Sequence, residues 1–395
     1  MNILYIWDAD YPWDVRVEKT CRSLQQNGHE IHIAARNLRK SSVYEHADGM
    51  HIHRLKPWKS DRLNYMLSFP AFFSPIWLKH LNNVIRKHSI ELIIVRDLPM
   101  AIAGIWSGRI SGIPVMFDMA EDYTAMVRVI WEHSKFDGLN LLVRNPYAAK
   151  LVERYALRRS DHILVVVDEM VDVALDGGCD RDRVTVVGNT PPLEGFNESG
   201  PDEVDLQPIR DRYSAIYTGG LEMARGIQTV LQAIPVIVRE IPDFLFVVVG
   251  DGPNRQRLEA SAAKRGVTDH VSWVGWVDHD HIFDYIRSCD VGIIPHFVTP
   301  HVDTTIPNKL FDYMGCGVPV VASDARPMKR VIEEERAGIT FRSGDAEDLA
   351  AGVLEIRTAT VDYGRNGFTA VQNKYNWATD EQRLLTAVAD LCSSS

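Results

Sequence analysis

Short apolar runs alternate with longer amphipathic segments along the chain. The run "NILYIW" (Asn2–Trp7) has the length of a buried strand, and the next segment has apolar residues at helical spacing until it stops at Asn27-Gly28. Further strand-length runs follow at residues 31–36, 92–95, 113–118, 162–167 and 184–189. Strands that alternate with helices in this way predict a parallel sheet with helices on both of its faces.

Residues 190–208 interrupt this alternation. They are rich in proline, glycine and acidic residues and show little periodicity, which is typical of a linker between domains. After the linker the alternation starts again, with helices predicted at residues 227–239, 255–265 and 281–289. The chain is therefore predicted to be an α/β protein with two Rossmann-like, doubly wound domains that face a central cleft, at residues 1–195 and 209–372.

Composition and charge narrow the class of protein. The 395 residues are 46% hydrophobic and 24% charged, as in soluble globular proteins of about two domains. A net charge of −10 argues against a nucleic-acid partner. The five cysteines form no CxxC pair, which favours a reducing cytoplasm over a disulfide framework or a structural zinc site. The first residues are too acidic for a signal peptide, and no apolar run is long enough to span a membrane.

The stretch "TTIPNKLFDYMGCGVPVVAS" predicts an anion-binding helix start. Pro307 can begin a helix because its missing N–H would have no partner there. Asn308, Lys309 and Leu310 then offer free backbone N–H groups at the positive helix end, where a phosphate is stabilised. Asp312 lies one turn further along and is placed to accept hydrogen bonds from a ribose. The alternative is an ordinary capped helix with a surface lysine and aspartate, and spacing alone does not choose between the two.

The stretch "YTGGLEMARGIQ" contains a second candidate phosphate site. Gly219 and Gly220 follow a strand and give the backbone room to approach a ligand. Arg225 precedes a helix, and its planar guanidinium can donate two parallel hydrogen bonds to a phosphate. The alternative is a tight turn with a solvated arginine. The nearby "VVVGDGPN" is an incomplete GxGxxG with Arg255 in place of the third glycine, so a dehydrogenase is poorly supported.

Acidic residues follow strands predicted in the first half. Asp8 and Asp10 have the spacing of a DxD pair that shares a divalent cation in an extended loop, although a polar turn is the favoured alternative. Asp14 and Arg16 border a helix start and are placed to reach an acceptor hydroxyl. Glu121 is the strongest first-half candidate for a carboxylate that binds a hydroxyl.

Histidines occur in three short motifs. In "DHDH" neighbouring residues of an extended chain point in opposite directions, so Asp278 is interpreted as a helix cap and not as a metal ligand. The motifs "HEIH" (His29–His32) and "HIH" (His51–His53) are interpreted as strand ends, with metal binding as the minor alternative.

Residues 54–80 combine basic and aromatic side chains. The single acid in this segment, Asp61, is outnumbered by Arg54, Lys56, Lys59, Arg62 and Lys79. Interleaved with them are Trp58, Tyr65, Met66, Leu67, Phe69, Phe72, Phe73 and Trp77. This mixture suits a membrane interface, where rings lie among headgroups and cations meet anionic lipid. The alternative is a helix packed on the core of the first half.

Together these motifs resemble family 4 of the retaining nucleotide-sugar glycosyltransferases, which have the GT-B fold. The resemblance extends over nearly the whole chain and is strongest over residues 217–323. "YTGGLEMARGI" resembles the loop before the first helix of the family's second domain, and "PNKLFDYMGCGVPVVAS" is similar to its donor-binding signature. "YNWATDEQRLLTAV" resembles the last helix, so residues 373–395 are expected to cross back to the first domain. The resemblance implies an acceptor-binding first domain and a donor-binding second domain.

The resemblance also implies roles for single residues in donor binding. The basic pair that the family places on the donor diphosphate falls at Gly220 and Arg225, so one cation is lost. The two family glutamates fall at Thr304 and Asp312, of which only Asp312 keeps a carboxylate for the ribose. Asp303 carries a carboxylate one position out of register.

Further implied contacts concern the nucleobase and the acceptor. The amides of residues 308–310 would hold the distal phosphate and the sugar, and the nucleobase would lie against residues 274–277, which include Val274 and Trp276. A histidine of the family's first domain is replaced by Ala120, beside Glu121. The implied chemistry needs no cofactor or metal, because oxygens of the leaving diphosphate deprotonate the acceptor on the same face and anomeric configuration is retained.

The sequence thus predicts a retaining, metal-independent hexosyl- or related glycosyltransferase. It would move a sugar from a nucleoside-diphosphate sugar to a glycan or lipid-linked acceptor in cell-surface polysaccharide or glycolipid synthesis. We expect it in the cytoplasm, at the inner face of the membrane, with peripheral contact through residues 54–80. The alternatives are a sugar-nucleotide epimerase and an inactive nucleotide-sugar-binding protein; the second is favoured by Gly220, Thr304 and Ala120.

Overall fold

The structure is a computed structural model that describes residues 1–12, 14–70, 72–133, 145–196 and 205–393. The chain divides into two units, of which the first comprises Met1–Gly188 with Asp380–Ser395 and the second comprises Asn189–Thr379. The predicted domain boundary at residue 195 therefore lies inside the second unit. Residues 197–204 of the predicted linker lie outside the described residues.

The first unit contains an eight-stranded sheet in the order β3-β4-β2-β1-β5-β6-β7-β8. Its strands are β1 (Asn2–Asp10), β2 (Glu30–Arg36), β3 (Tyr44–Ala47), β4 (Met50–Arg54), β5 (Leu92–Arg96), β6 (Val115–Met119), β7 (His162–Val165) and β8 (Val184–Val186). All neighbours pair in parallel except β3 and β4, which pair antiparallel. The predicted parallel sheet is confirmed, with a hairpin added at one edge.

Helices follow the strands of the first unit, and some of them begin at residues whose side chains cap the helix. Their bounds are α1 (Val15–Gln26), α2 (Asp61–Ser68), α3 (Pro75–His88), α4 (Leu98–Ser111), α5 (Tyr123–His133), α6 (Pro146–Arg159) and α7 (Glu169–Asp176). Ser74 and Asn145 accept hydrogen bonds from the first-turn amides of α3 and α6, and a proline follows each of them. These caps satisfy N–H groups that have no partner within the helix.

The second unit contains a fully parallel six-stranded sheet in the order β11-β10-β9-β12-β13-β14. Its strands are β9 (Ser214–Thr218), β10 (Leu245–Val249), β11 (Val271–Gly275), β12 (Val291–Ile294), β13 (Val320–Ser323) and β14 (Gly338–Phe341). Its helices are α8 (Gln207–Arg210), α9 (Ile227–Glu240), α10 (Arg255–Lys264), α11 (His279–Arg287), α12 (Asn308–Gly315), α13 (Arg326–Glu335), α14 (Ala346–Thr358), α15 (Tyr363–Asn373) and α16 (Trp377–Ser393), the last of which extends into the first unit. The central strands β9 and β10 are buried throughout, as expected for a sheet covered on both faces.

Asp278 takes the N-cap position of α11, as predicted, but its side chain makes no capping hydrogen bond. The side chains of residues 279 and 280 in the same motif lie outside the described part. Among the described residues, no helix combines the length and apolar character that a bilayer-crossing segment requires.

Candidate functional site

The carboxyl ends of β9 and β10 meet at two glycines. Gly219 has a φ of +120° and Gly250 has a φ of +140°, values that residues with a side chain rarely adopt. A Cβ on Gly250 would lie 2.0 Å from the carbonyl oxygen of Gly219, so the two loops pack backbone against backbone. In open parallel sheets, ligands bind beyond this edge.

Lys309 lies beside these loops. Its ammonium is 3.8 Å from the centroid of the Tyr217 ring, within the range of a cation–π interaction. The Tyr217 hydroxyl donates to the carbonyl oxygen of Gly220 at 2.7 Å, which fixes the ring under the lysine. Burial, together with the positive charge of Arg225, lowers the pKa of Lys309 well below its ordinary value. A nearby anion would raise the pKa of Lys309 again and favour its charged form.

Arg225 ends a short 3₁₀ turn before α9 and forms an ion pair with Glu222, Nε to Oε2, at 3.5 Å. The two side chains are about half exposed, at 48% and 52%, so solvent screens this pair and it binds the guanidinium weakly. Arg225 is therefore available to a more highly charged partner. Glu222 escaped the sequence analysis because an acid between two candidate phosphate ligands has no obvious role there.

His296 is a second residue that the sequence analysis missed. It follows β12 and is buried. Burial lowers its pKa to about 2, assisted by the positive charges of Lys309 and Arg225, so the ring is neutral near pH 7. Its Nε2 atom is buried without a hydrogen-bond partner in the described part of the chain. The position directly after a parallel strand was the signal that could have identified it.

The start of α12 is uncapped by any side chain, and Pro307 occupies the N-cap position. The predicted set of three free amides is wrong for Leu310, whose N–H donates to the Pro307 carbonyl oxygen at 3.0 Å. The amides of Asn308 and Lys309 lie at the first two helical positions, where an N–H has no partner within the helix. The tip of α12 thus offers two amides and not three.

Asp312 is partly buried one turn into α12, and its negative charge acts on Lys309 to raise the lysine pKa. The next residue, Tyr313, is fully buried, and its hydroxyl accepts a hydrogen bond from the Thr218 amide at 2.9 Å. This bond fixes α12 against the end of β9. The structure thereby brings Gly219, Arg225, Lys309 and Asp312, which the sequence analysis took from two separate motifs, to one region of the second unit.

Asp303 and Thr304 already have partners within the protein. The Asp303 carboxylate accepts a hydrogen bond from the Arg326 amide at 2.9 Å, at the start of α13. The buried Thr304 hydroxyl donates to the carbonyl oxygen of His301 at 3.0 Å. Both residues therefore stabilise the loop before α12, and their roles in donor binding stay predictions.

The predicted nucleobase contact lies at the edge strand β11. The carbonyl oxygen of Gly275 accepts a hydrogen bond from the Gly250 amide at 2.7 Å, which connects β11 to the glycine loops. Val274 is partly buried, whereas Trp276 is 81% exposed. Trp276 thus presents an open aromatic face immediately after the strand.

In the first unit, the sequence analysis had expected Arg16 to reach an acceptor hydroxyl, and the structure corrects this. Arg16 is buried and its Nη2 lies 2.6 Å from the Asp118 carboxylate, while its Nη1 donates to the Val187 carbonyl oxygen at 2.9 Å. Tyr5 donates its hydroxyl to the same carboxylate at 2.7 Å. Burial acts to raise the pKa of Asp118, but the charge and hydrogen bond of Arg16, the charge of Arg96 and the hydrogen bond from Tyr5 together lower it below its ordinary value. Arg16 therefore holds α1, β6 and the end of β8 together.

Asp14 is hydrogen-bonded within the protein, whereas Glu121 is exposed to solvent. Asp14 caps α1 by accepting from the Val17 amide at 2.9 Å, and its other oxygen accepts from Arg96 at 3.2 Å. Glu121 is exposed just after β6. Of the three first-unit candidates, Glu121 is the one whose side chain faces solvent.

Asp97, which the sequence analysis missed, follows β5 and has a strained backbone. Its φ is 57° and its ψ is 170°, a combination that only surrounding structure can enforce on a residue with a side chain. Its carboxylate accepts from the Ala120 amide at 3.2 Å and its side chain is 16% exposed. Burial raises its pKa to about 7, the nearby charge of Glu121 adds to this rise, and Arg96 opposes it. Strain and a perturbed pKa at a strand end are marks of a functional residue.

The predicted DxD pair is not in a loop, because β1 continues to Asp10. The Asp10 carboxylate accepts from the amides of Leu38 and Arg39 at 2.7 and 3.0 Å, and burial raises the pKa of Asp8. Neither aspartate belongs to a cluster of three potential metal ligands among the described residues. Asp10 therefore holds the loop after β2.

The geometry defines an α/β protein whose two parallel-sheet units carry charged residues at the carboxyl ends of their strands. Residues 14–190 match the family model "Glycosyl transferase 4-like domain" and residues 212–358 match "Glycosyl transferases group 1". The chain belongs to the family 4-type glycosyltransferases, which have the GT-B fold.

Individual proteins agree with this assignment. The chain is 25% identical over 217 residues to alpha-D-kanosaminyltransferase of Streptomyces kanamyceticus, covering 52% of this chain and 54% of that protein. It is 26% identical over 249 residues to phosphatidyl-myo-inositol mannosyltransferase of Mycolicibacterium smegmatis, covering 62% and 58%. The chain thus spans little more than half the length of these curated relatives. Anabaena HepE in complex with UDP has the same fold, with a TM-score of 0.71, 16% identity and coverage of 99% and 100%.

Proposed function

We propose that the protein is a retaining glycosyltransferase that moves a sugar from a nucleoside-diphosphate sugar to a glycan or lipid-linked acceptor. The observation that carries the proposal is the placement of Lys309 and Arg225 beside the glycine loops at the end of β9. Lys309 has a lowered pKa because it is buried near Arg225, and a diphosphate would relieve this repulsion. The UDP complex of HepE, which shares the fold, supports the choice of a nucleotide.

Four residues of the second unit have a role in this proposal. Arg225 and the amides of Asn308 and Lys309 bind the diphosphate, and Asp312 accepts hydrogen bonds from the ribose hydroxyls. Their part in catalysis is to align the donor and to stabilise the charge that develops on the departing diphosphate. The leaving oxygen takes the acceptor proton on the same face, so the protein supplies neither a metal nor a general base for this step.

In the first unit, we propose that Glu121 and Asp97 bind the acceptor. Glu121 is exposed after β6, and the Asp97 carboxyl, whose pKa is raised by burial to about 7, can donate as well as accept a hydrogen bond near neutral pH. The two lie close enough for the charge of Glu121 to act on Asp97.

The test measures nucleotide binding and sugar transfer separately. Arg225→Glu and Asp312→Ala should each weaken binding of the cognate nucleoside diphosphate about 10- to 100-fold, the range for a hydrogen bond to a charged group. Arg342→Glu is the matched control, because Arg342 is 75% exposed and its ion pairs within the described part of the chain are with the nearby Asp345 and Asp348. Unchanged affinity in the first two variants would refute the proposed site.

Labelled UDP-, GDP- and ADP-sugars, with and without EDTA, then distinguish the activities. Transfer to a membrane or glycan extract that survives EDTA supports the metal-independent glycosyltransferase. A changed sugar without any acceptor identifies an epimerase. Tight binding without turnover on any extract identifies a nucleotide-sugar-binding protein.

We further propose that residues 54–80 contact the membrane. On α2 the apolar residues Leu63, Tyr65, Met66 and Leu67 are exposed, beside the exposed cations Lys56, Lys59 and Arg62. Trp77 and Arg54 do not belong to this surface, because both are buried and Arg54 pairs with Glu45 at 2.7 Å. The similarity to a mannosyltransferase named for a phosphatidylinositol acceptor supports a lipid-linked acceptor.

The membrane proposal has its own experiment. Replacing Lys56, Lys59 and Arg62 with glutamate should abolish sedimentation with anionic liposomes at low salt, while nucleotide binding by the second unit stays unchanged. Sedimentation equal to that of the wild type would refute membrane contact through this surface.

A further inference from the structure

A histidine-rich face lies at the edge of the first-unit sheet. Strands β2 and β4 pair in parallel, with His32 opposite His51 and Ala34 opposite His53. Because side chains alternate along a strand, Glu30 and His32 share one face of β2 and His51 and His53 share that face of β4. The motifs were interpreted as strand ends. His29–His32 does lie at the start of β2, whereas His51–His53 lies in the middle of β4, and the register was needed to show that the two converge.

Three atoms on this face have the spacing of metal ligands. The Glu30 Oε1 atom is 3.4 Å from His32 Nε2 and 3.2 Å from His51 Nε2, and all three lie within 4.8 Å of one another. Tetrahedral zinc with bonds of about 2.0–2.1 Å holds its ligand atoms roughly 3.3–3.4 Å apart. The separations from Glu30 therefore match a shared ion. The two imidazole rings, which are stacked with centroids 4.7 Å apart, would turn to direct both Nε2 atoms at it.

The His32 Nε2 atom gives independent support. It is buried and has no hydrogen bond of good geometry with any described residue, and the Glu30 carboxylate lies 3.4 Å away. An unpaired buried ring nitrogen is costly, and a bound ion would satisfy it.

The remaining ring nitrogens are held by neighbours. His32 Nδ1 is 3.0 Å from His53 Nε2, and His51 Nδ1 is 2.9 Å from the Tyr44 hydroxyl. Metal-binding histidines usually have their second nitrogen engaged in this way, which fixes the ring and its tautomer. Both candidate ligands therefore present Nε2 toward Glu30 in an oriented state.

We propose that Glu30, His32 and His51 bind a divalent transition-metal ion of the zinc type, with a fourth position open to solvent. Two imidazoles and one carboxylate suit zinc and its neighbours better than magnesium or calcium, which prefer oxygen ligands. Entry is open, because the side chains of Glu30 and His51 are 53% and 22% exposed.

The position of this site indicates its role. Glu30 begins β2 and His51 lies near the start of β4, so the ion would lie at the amino ends of the strands, away from the edge where ligands of the transfer reaction bind. The ion would link β4 to its neighbour β2 near one edge of the sheet and stabilise the first unit. This proposal does not depend on the proposed function.

A second cluster of His32, His53 and His88 provides the competing arrangement. In it, the His32 and His53 nitrogens already face each other at hydrogen-bonding distance, so an ion would have to break that contact. The assigned set requires no such loss. His88→Asn is therefore the matched control, since it removes a histidine from the competing cluster and leaves the assigned ligands intact.

The experiment titrates Zn²⁺ into EDTA-treated, dialysed full chain by calorimetry. We expect about one equivalent to bind, with affinity reduced more than about 100-fold in His51→Asn and Glu30→Gln and unchanged in His88→Asn. Tyr44→Phe, which removes only the hydrogen bond to His51 Nδ1, should reduce the Zn²⁺ affinity about 10- to 100-fold. Zn²⁺ should also raise the melting temperature of the wild type and of His88→Asn, but not that of His51→Asn.

Two results would overturn the assignment. The first is the absence of stoichiometric Zn²⁺ binding by the wild type. The second is loss of binding in His88→Asn with retention in His51→Asn, which would place the ion in the competing cluster. Circular dichroism of each variant confirms that the fold is intact.

Discussion

Replacing Asp97 with asparagine should make the stability of the first unit less sensitive to pH. The carboxyl is 16% exposed and burial raises its pKa to about 7, whereas an unfolded aspartate has a pKa of about 3.9. Between these values the unfolded chain has lost the proton that the folded chain still holds. Proton binding by Asp97 therefore stabilises the folded state in full below about pH 4, and this stabilisation is lost as the pH rises through 7.

The magnitude follows from the two pKa values. Each unit of difference corresponds to about 1.36 kcal/mol, so the wild type should lose about 2–3 kcal/mol relative to Asp97→Asn between about pH 5 and pH 8. For a folded domain as large as the first unit, each kcal/mol of stability shifts the melting temperature by about 2–4 °C. The difference in melting temperature between the two proteins should thus change by roughly 5–10 °C over this range.

Differential scanning calorimetry in matched buffers measures this directly. Asparagine keeps the size of the side chain and its acceptor for the Ala120 amide, so the comparison isolates the charge. A difference in melting temperature that stays constant from pH 5 to pH 8 would show that Asp97 titrates like a solvated carboxyl, and the reasoning from its burial would be refuted.

Three further predictions follow from the contacts. Arg16→Met leaves the buried Asp118 carboxylate without its 2.6 Å partner and should reduce the free energy of unfolding by about 3–5 kcal/mol, measured by urea denaturation; a loss below 1 kcal/mol would contradict this. Gly250→Ala should destabilise the second unit by more than Gly266→Ala, because both have a positive φ but a Cβ at Gly266 meets no atom within 4 Å; equal melting temperatures would contradict the packing of the glycine loops. Nucleoside-diphosphate binding should take up protons and weaken as the pH rises, because the anion raises the lowered pKa of Lys309; calorimetry in buffers of different ionisation enthalpy measures the uptake, which should vanish in Lys309→Met.

The sheets of both units could be predicted from periodicity, whereas short and distant features could not. The β3–β4 hairpin turns at Asp48 and Gly49, with φ values of 53° and 74°, and the Asp-Gly pair is a known hairpin signal. Its strands were too short to stand out. Arg16 appeared to be a free helix-start residue because its partner, Asp118, is 102 positions away.

The candidate site divides in the same way. Gly219, Arg225, Lys309 and Asp312 could be named from sequence because loops after strands and helix starts have local signals. The perturbed pKa values of Asp97 and His296 could not be predicted, because they depend on burial and on charges from distant segments. Neither the burial nor those charges can be read from the neighbouring sequence.

The return of the chain to the first unit has a consequence for its biosynthesis. Helix α16 joins the first unit from Asp380 onward, and its side chains Leu384, Ala387 and Val388 are buried. A ribosome therefore produces every residue of the second unit before it delivers the last segment of the first. While the second unit is being synthesised, the first unit still lacks part of its apolar covering and exposes that surface to chaperones. The first unit, whose synthesis starts first, is therefore the last to be completed.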